Sequence, residues 1–163
     1  MPVHPGQYVR LGPDVTRRIL TEIEIDAAPR VVWDILTDLD GYADWNPLIT
    51  EASGTVAVGE KLTNRFEPPG GRAATFHPRV TVVDAGRVFE WVGRLGFSAL
   101  FEGRHRFELK ATTDGTHLTH SEVFSGVATP LLLRKSAYLQ AVEGFKALNN
   151  ALKARAEAHP ARA

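Results

Sequence analysis

The side chains able to do chemistry in this sequence are few, and three of them fall together. Two stretches alternate with the period of two that marks a β-strand. Over residues 101–110, Phe101, Gly103, His105, Phe107 and Leu109 share one side, and Glu102, Arg104, Arg106, Glu108 and Lys110 share the other. Over residues 116–125, Leu118, His120, Glu122 and Phe124 share a side. The charged set of the first stretch is mixed in sign and reads as a solvated outer face, which turns His105 inward. With the two strands paired, His105, His120 and Glu122 meet on one apolar face. A buried carboxylate is costly unless it is paired or hydrogen-bonded, so a contact between Glu122 and His120 is expected there, with His105 of the adjacent strand nearby. Three roles suit such a set. It can be a satisfied internal polar cluster. It can orient a ligand. It can act as a general acid/base, because a histidine beside a carboxylate can titrate near neutrality. In that last case His105, His120 and Glu122 are the catalytic candidates. Two histidines and a carboxylate are also metal-ligand types, but their spacing makes no compact ligand motif, and neither a metal nor a cofactor is expected.

Other chemistry finds little support. The chain has no cysteine, which excludes disulfides, thiolate metal sites and a cysteine nucleophile. Ser121 and Ser125 lack the strand–turn–helix setting of a nucleophile elbow. The run Pro68-Pro69-Gly70-Gly71-Arg72 has no following Gly-Lys-Ser/Thr and reads as a hairpin loop, not a phosphate loop. Lys+Arg and Asp+Glu are 19 each, so the formal charge is zero and nothing favours nucleic acid as a partner. Residues 1–16 carry no apolar run, and no stretch approaches a membrane span, so neither a secretory signal nor stable membrane insertion is expected. A cytoplasmic location fits the absence of cysteine.

The elements that must position the three candidates follow from periodicity. Residues 18–26 alternate, with Ile19, Thr21, Ile23 and Ile25 on one side. Pro29 suits a first helical turn and opens a short helix over 29–37, followed by a turn-rich segment over 38–44. Further strands are predicted at 48–53, 61–67, 73–83, 87–94, 101–110 and 116–125, with Asp114-Gly115 as a hairpin turn between the last two. Pro78 cannot donate to a ladder and implies an edge or a bulge in its strand. Residues 131–158 lack proline, and Ala137, Tyr138, Ala141, Val142, Phe145, Leu148 and Leu152 recur every three or four residues, which predicts one long amphipathic helix. Gly144 inside it points to close packing or a kink. The expected class is α+β, with a curved antiparallel sheet closed by that helix. One domain over 17–158 is expected, with a loose arm at 1–16 and a tail at 159–163.

Several segments, in order, resemble a known superfamily. They are Ile25-Asp26-Ala27-Ala28-Pro29 with Val32-Trp33, then Trp45-Asn46-Pro47, Val58-Gly59-Glu60, Phe89-Glu90-Trp91, Gly103-Arg104-His105-Arg106-Phe107, Phe124-Ser125-Gly126 and a closing stretch from Phe145 to Lys153. The chain is similar over residues 18–157 to the START/Bet v 1-like (SRPBCC) superfamily, and within it to the polyketide cyclase/dehydrase and lipid-transport group. The resemblance implies a helix-grip fold: about seven antiparallel strands around a long C-terminal helix, two short helices after the first strand, and a deep apolar pocket. Fold does not settle function. Members include ligand carriers and cyclases, so the implied activity is binding of a hydrophobic small molecule (lipid, polyketide or isoprenoid-like), or alternatively cyclase/dehydratase chemistry using the pocket His and Glu. Strand parity then names the candidate ligand-binding set: Trp33, Asn64, Phe66, Phe89, Trp91, Phe101, His105, Phe107, His120, Glu122 and Phe124, with Tyr138, Val142 and Phe145 from the helix.

Overall fold

In the computed structural model, residues 16–97 and 99–158 are described. The expected arm, apart from residue 16, and the tail at 159–163 lie outside them. The first alternating stretch forms β1 (Arg17–Ile25), with Ile19, Thr21 and Ile25 buried on one side. Pro29 then opens α1 (Pro29–Thr37), where its missing N–H leaves nothing unpaired, and a 3-10 helix follows at Leu39–Asp44. Strands follow in succession: β2 (Ile49–Gly54), β3 (Leu62–Phe66), β4 (Ala74–Phe76), β5 (Arg79–Asp84), β6 (Val88–Leu95) and β7 (Phe101–Ala111). Then come β8 (Thr116–Ser125), the single turn α2 (Thr129–Leu132) and the long α3 (Lys135–Glu157).

Two corrections concern proline and a helix break. The single strand expected over 73–83 is two, β4 and β5, because Pro78 sits between them without an N–H for either ladder. Among the described residues the strands therefore number eight, and they form two sheets: β1-β8-β7-β6-β5 and β2-β3-β4. The Pro78 carbonyl still accepts from Leu62 N at 2.8 Å, and Val80 N donates to Glu60 O at 2.9 Å, so the sheets meet along this seam. The helix expected from residue 131 starts at Lys135. Leu133 leaves helical geometry (φ −108, ψ 59), its side chain turns into the core, and the Arg17 guanidinium donates to its carbonyl.

The larger sheet grips α3. Phe89, Phe107, Leu118 and Ile19 on its inner face pack with Phe145, Leu148 and Leu152. Gly144 brings the helix close to the entry of β2: a Cβ there would lie 2.6 Å from Leu48 Cδ1. On the outer face Glu90 is not solvated but 5 % exposed. It accepts from Arg104 at 2.6 Å, Thr81 at 2.8 Å and Arg106 at 3.0 Å. Burial pushes its carboxyl up, but those three donors outweigh it and hold the group below its usual range.

Candidate functional site

Register places the candidates. Across β7 and β8, His105 faces Glu122, Phe107 faces His120, and Gly103 faces Phe124. Across β6 and β7, Trp91 faces His105. Thr21 of β1 faces His120 from the other side. One end of this inner face is packed under α3; the other opens into a cavity of about 330 Å³. Trp91, Phe101, Gly103, Glu122 and Phe124 of the larger sheet wall it, with Phe66 and Phe76 of the smaller sheet and Ala137, Ala141 and Phe145 of α3. The wall is apolar apart from Glu122 and the exposed Arg72 and Arg94.

Behind Glu122 runs a chain of hydrogen bonds. Glu122 Oε2 lies 3.3 Å from His105 Nδ1, its cross-strand neighbour, and not against His120 as expected, because both His120 ring nitrogens are engaged elsewhere. His105 Nε2 lies 2.7 Å from His120 Nε2, and His120 Nδ1 lies 2.7 Å from Asn149 Oδ1 on α3. Asn149 Nδ2 donates to Thr21 Oγ1 at 2.9 Å, and the Thr21 hydroxyl donates to the His120 carbonyl at 3.0 Å. The rings are locked by stacking. His120 lies between Phe107 (4.3 Å between centroids) and Phe145 (4.0 Å), and Trp91 stacks on His105 at 4.6 Å.

This enclosure decides the charges. Burial lowers the His105 pKa to about 3 and, with the repulsion that two neighbouring imidazolium ions would feel, holds His120 well below the usual histidine range. Burial raises Glu122 to about 8. An ion pair between Glu122 and His105 would bury two charges on one 3.3 Å contact, and no other donor among the described residues bonds the carboxylate. The neutral form therefore holds at pH 7: Glu122 is a carboxylic acid and both imidazoles are uncharged. The two Nε2 atoms point at each other, which leaves no space for a cation between the rings.

The structure divides the fourteen ligand-binding candidates. Phe66, Trp91, Phe101, Glu122, Phe124 and Phe145 border the cavity. His105, His120, Phe89 and Phe107 are fully buried behind that wall, and Val142 is in the core. Asn64 is buried between Ala52 and Phe76 in the smaller sheet. Trp33 is half-buried, edge-on to Phe89 at 6.3 Å, and the Tyr138 hydroxyl donates to Arg18 O at 2.9 Å. Sequence reasoning missed Thr21 as a hydrogen-bonding partner and Asn149 altogether. The available signal for Asn149 was its place one turn after Phe145 on the apolar stripe of α3, where an amide must find a buried partner.

Comparison with known proteins agrees with this geometry. A family model described as polyketide cyclase / dehydrase and lipid transport matches residues 16–157. Among solved structures, the Zhui aromatase/cyclase from a Streptomyces species superposes with a TM-score of 0.72 at 19% identity, covering 87% of this chain and 94% of that one. A START superfamily protein from Mycobacterium smegmatis superposes at 0.65 with 21% identity, covering 86% and 97%. Ara h 8.0201 does so at 0.65 with 13% identity, covering 88% and 99%. These likenesses show the shared helix-grip fold. No curated protein matches the chain. Among the described residues no helix is long and apolar enough to cross a membrane.

Proposed function

The chain belongs to the polyketide cyclase/dehydrase and lipid transport family, and from that membership we propose that it binds a hydrophobic small molecule, of lipid, polyketide or isoprenoid type, in the cavity between its two sheets and α3. The observation that carries the proposal is the wall: aromatic and aliphatic side chains from both sheets and the helix, interrupted by one inward carboxyl. Native mass spectrometry and solvent extraction of the purified protein test it. A bound apolar mass, or saturable binding of fatty acids or an apolar dye that Ala141→Phe weakens by filling the cavity, is the expected result. An extract without ligand, together with no dye or fatty-acid binding, refutes it.

A second function is favoured by one specific feature. Glu122 carries a proton at the cavity wall, and His105, itself held by His120, fixes the orientation of that acid from behind. Cyclase/dehydratase chemistry on a poly-β-carbonyl chain needs a folded substrate and such a proton donor or acceptor. Turnover lost in Glu122→Gln, His105→Ala and His120→Ala, with the fold intact, is the expected outcome. Unchanged turnover in all three removes this function.

A further inference from the structure

We propose that the occupant of the cavity carries a hydroxyl group, alcoholic or phenolic, that donates its proton to Glu122 Oε1, and that Asn149 is the positioning residue that sets this preference from the far end of the hydrogen-bond chain. The proposal rests on the cavity being a ligand site and adds the polar chemistry of the ligand.

Each link of the chain has a forced direction. Thr21 has one hydroxyl proton, and the His120 carbonyl takes it, so Thr21 Oγ1 meets Asn149 as an acceptor. The Asn149 NH₂ group must therefore face Thr21, which turns Asn149 Oδ1 toward His120. His120 then carries its proton on Nδ1 and presents a bare Nε2. His105 fills that acceptor with its own Nε2–H, which leaves His105 Nδ1 bare. The proton of the last contact must come from Glu122 Oε2. What remains toward the cavity is Oε1, the carbonyl oxygen of a neutral acid.

That oxygen accepts hydrogen bonds and gives none. No donor among the described residues bonds it. The backbone keeps it open, because a Cβ at Gly103 would lie 2.8 Å from Oε1. The Glu122 side chain retains 14 % of its exposure, and it borders the cavity. A ketone or ether placed there sets lone pair against lone pair. A carboxylate meets no cation at that depth, since the arginines on the cavity, Arg72 and Arg94, are exposed and Arg94 is engaged with Glu102 at 2.8 Å. A hydroxyl matches.

Isothermal titration with 2-naphthol and its methyl ether, 2-methoxynaphthalene, tests the idea. The wild type should bind 2-naphthol about 10-fold more tightly, the worth of one buried hydrogen bond to a neutral acceptor. Glu122→Gln should keep the preference, because its amide donates to His105 Nδ1 and its carbonyl faces the cavity. Glu122→Met should abolish it. Equal binding of the two probes by the wild type, or loss of the preference in Glu122→Gln, overturns the hydroxyl assignment and leaves the ligand site standing. Binding of neither overturns the ligand site and the assignment together. Nitrogen-15 NMR of the unliganded wild type checks the direction without any variant. His120 should be protonated on Nδ1 alone and His105 on Nε2 alone, whereas a doubly protonated His105 at neutral pH overturns the proposal. In Asn149→Ala the His120 tautomer should become mixed, and an unchanged tautomer removes Asn149 from its positioning role.

Discussion

Replacing Glu122 by glutamine should change how the stability of the protein depends on pH, and the size of the change follows from the site. In the folded chain burial holds the Glu122 carboxyl to a pKa of about 8, against an ordinary value of 4.5. Between those values the native state keeps a proton that the unfolded chain has released. The group's contribution is therefore complete below pH 4.5 and is lost as pH rises toward 8. Each pH unit is worth about 1.4 kcal/mol, so the whole interval amounts to about 5 kcal/mol, a large part of a typical domain stability. His105 and His120 act in the opposite sense. Both are held neutral in the fold, so they destabilise it as pH falls below 6.5 and the unfolded chain takes up protons. Glu122→Gln retains both histidines, so their contribution cancels in the difference between the two proteins. Urea unfolding followed by tryptophan fluorescence, at half-unit steps from pH 5 to 8.5, isolates the carboxyl. The variant should gain on the wild type steadily, by about 3–5 kcal/mol across the range. A difference that stays within about 1 kcal/mol would show that Glu122 ionises as an ordinary surface carboxyl, and the neutral chain behind it would be wrong.

Three further predictions rest on packing and pairing. Gly144→Ala adds about 1 kcal/mol of helix propensity but places a methyl 2.6 Å from the buried Leu48 side chain, and overpacking of about 1–3 kcal/mol should make the net change destabilising in thermal melts. Glu90→Ala leaves Arg104 and Arg106 facing each other without their shared acceptor and should cost about 2–3 kcal/mol, less so in 1 M salt, by the same unfolding assay. Asn149→Ala strips a buried ring N–H of its acceptor and a buried hydroxyl of its donor, and should cost about 2–3 kcal/mol by urea unfolding.

Alternation made the inner face legible, but it points to His120 as the partner of Glu122, whereas the cross-strand register gives that contact to His105. Parity assigns a side chain to a face but not to a depth along the strand. This is why Phe107, His120 and Phe89 were grouped with Phe101, Glu122 and Trp91, although the first three lie under α3 and the last three border the cavity. Depth is set by where the helix crosses the sheet, and no local pattern encodes that crossing. The same holds for Asn149 and Thr21, which meet across 128 residues of chain. Pro78 was visible as a breaker. That it separates two sheets depended on Leu62, Glu60 and Val80 meeting across the seam, which is a long-range fact. The start of α3 was placed early because residues 131–133 are all leucine and carry no breaker. Leu131 and Leu132 are indeed helical, in α2, and the break falls at Leu133, whose carbonyl accepts from Arg17, far away in the sequence.

The seam at Pro78 divides labour. The groups that set the proton order, on β1, β7, β8 and α3, belong to the larger sheet and its helix. Much of the surface that gives the cavity its outline, including Phe66, Pro68, Ala74 and Phe76, belongs to the smaller sheet and its loop. Descendants of this chain can therefore alter the shape of what they admit by changing one leaf without replacing any member of the hydrogen-bond chain in the other, provided the ring at Phe66 that meets His105 is kept.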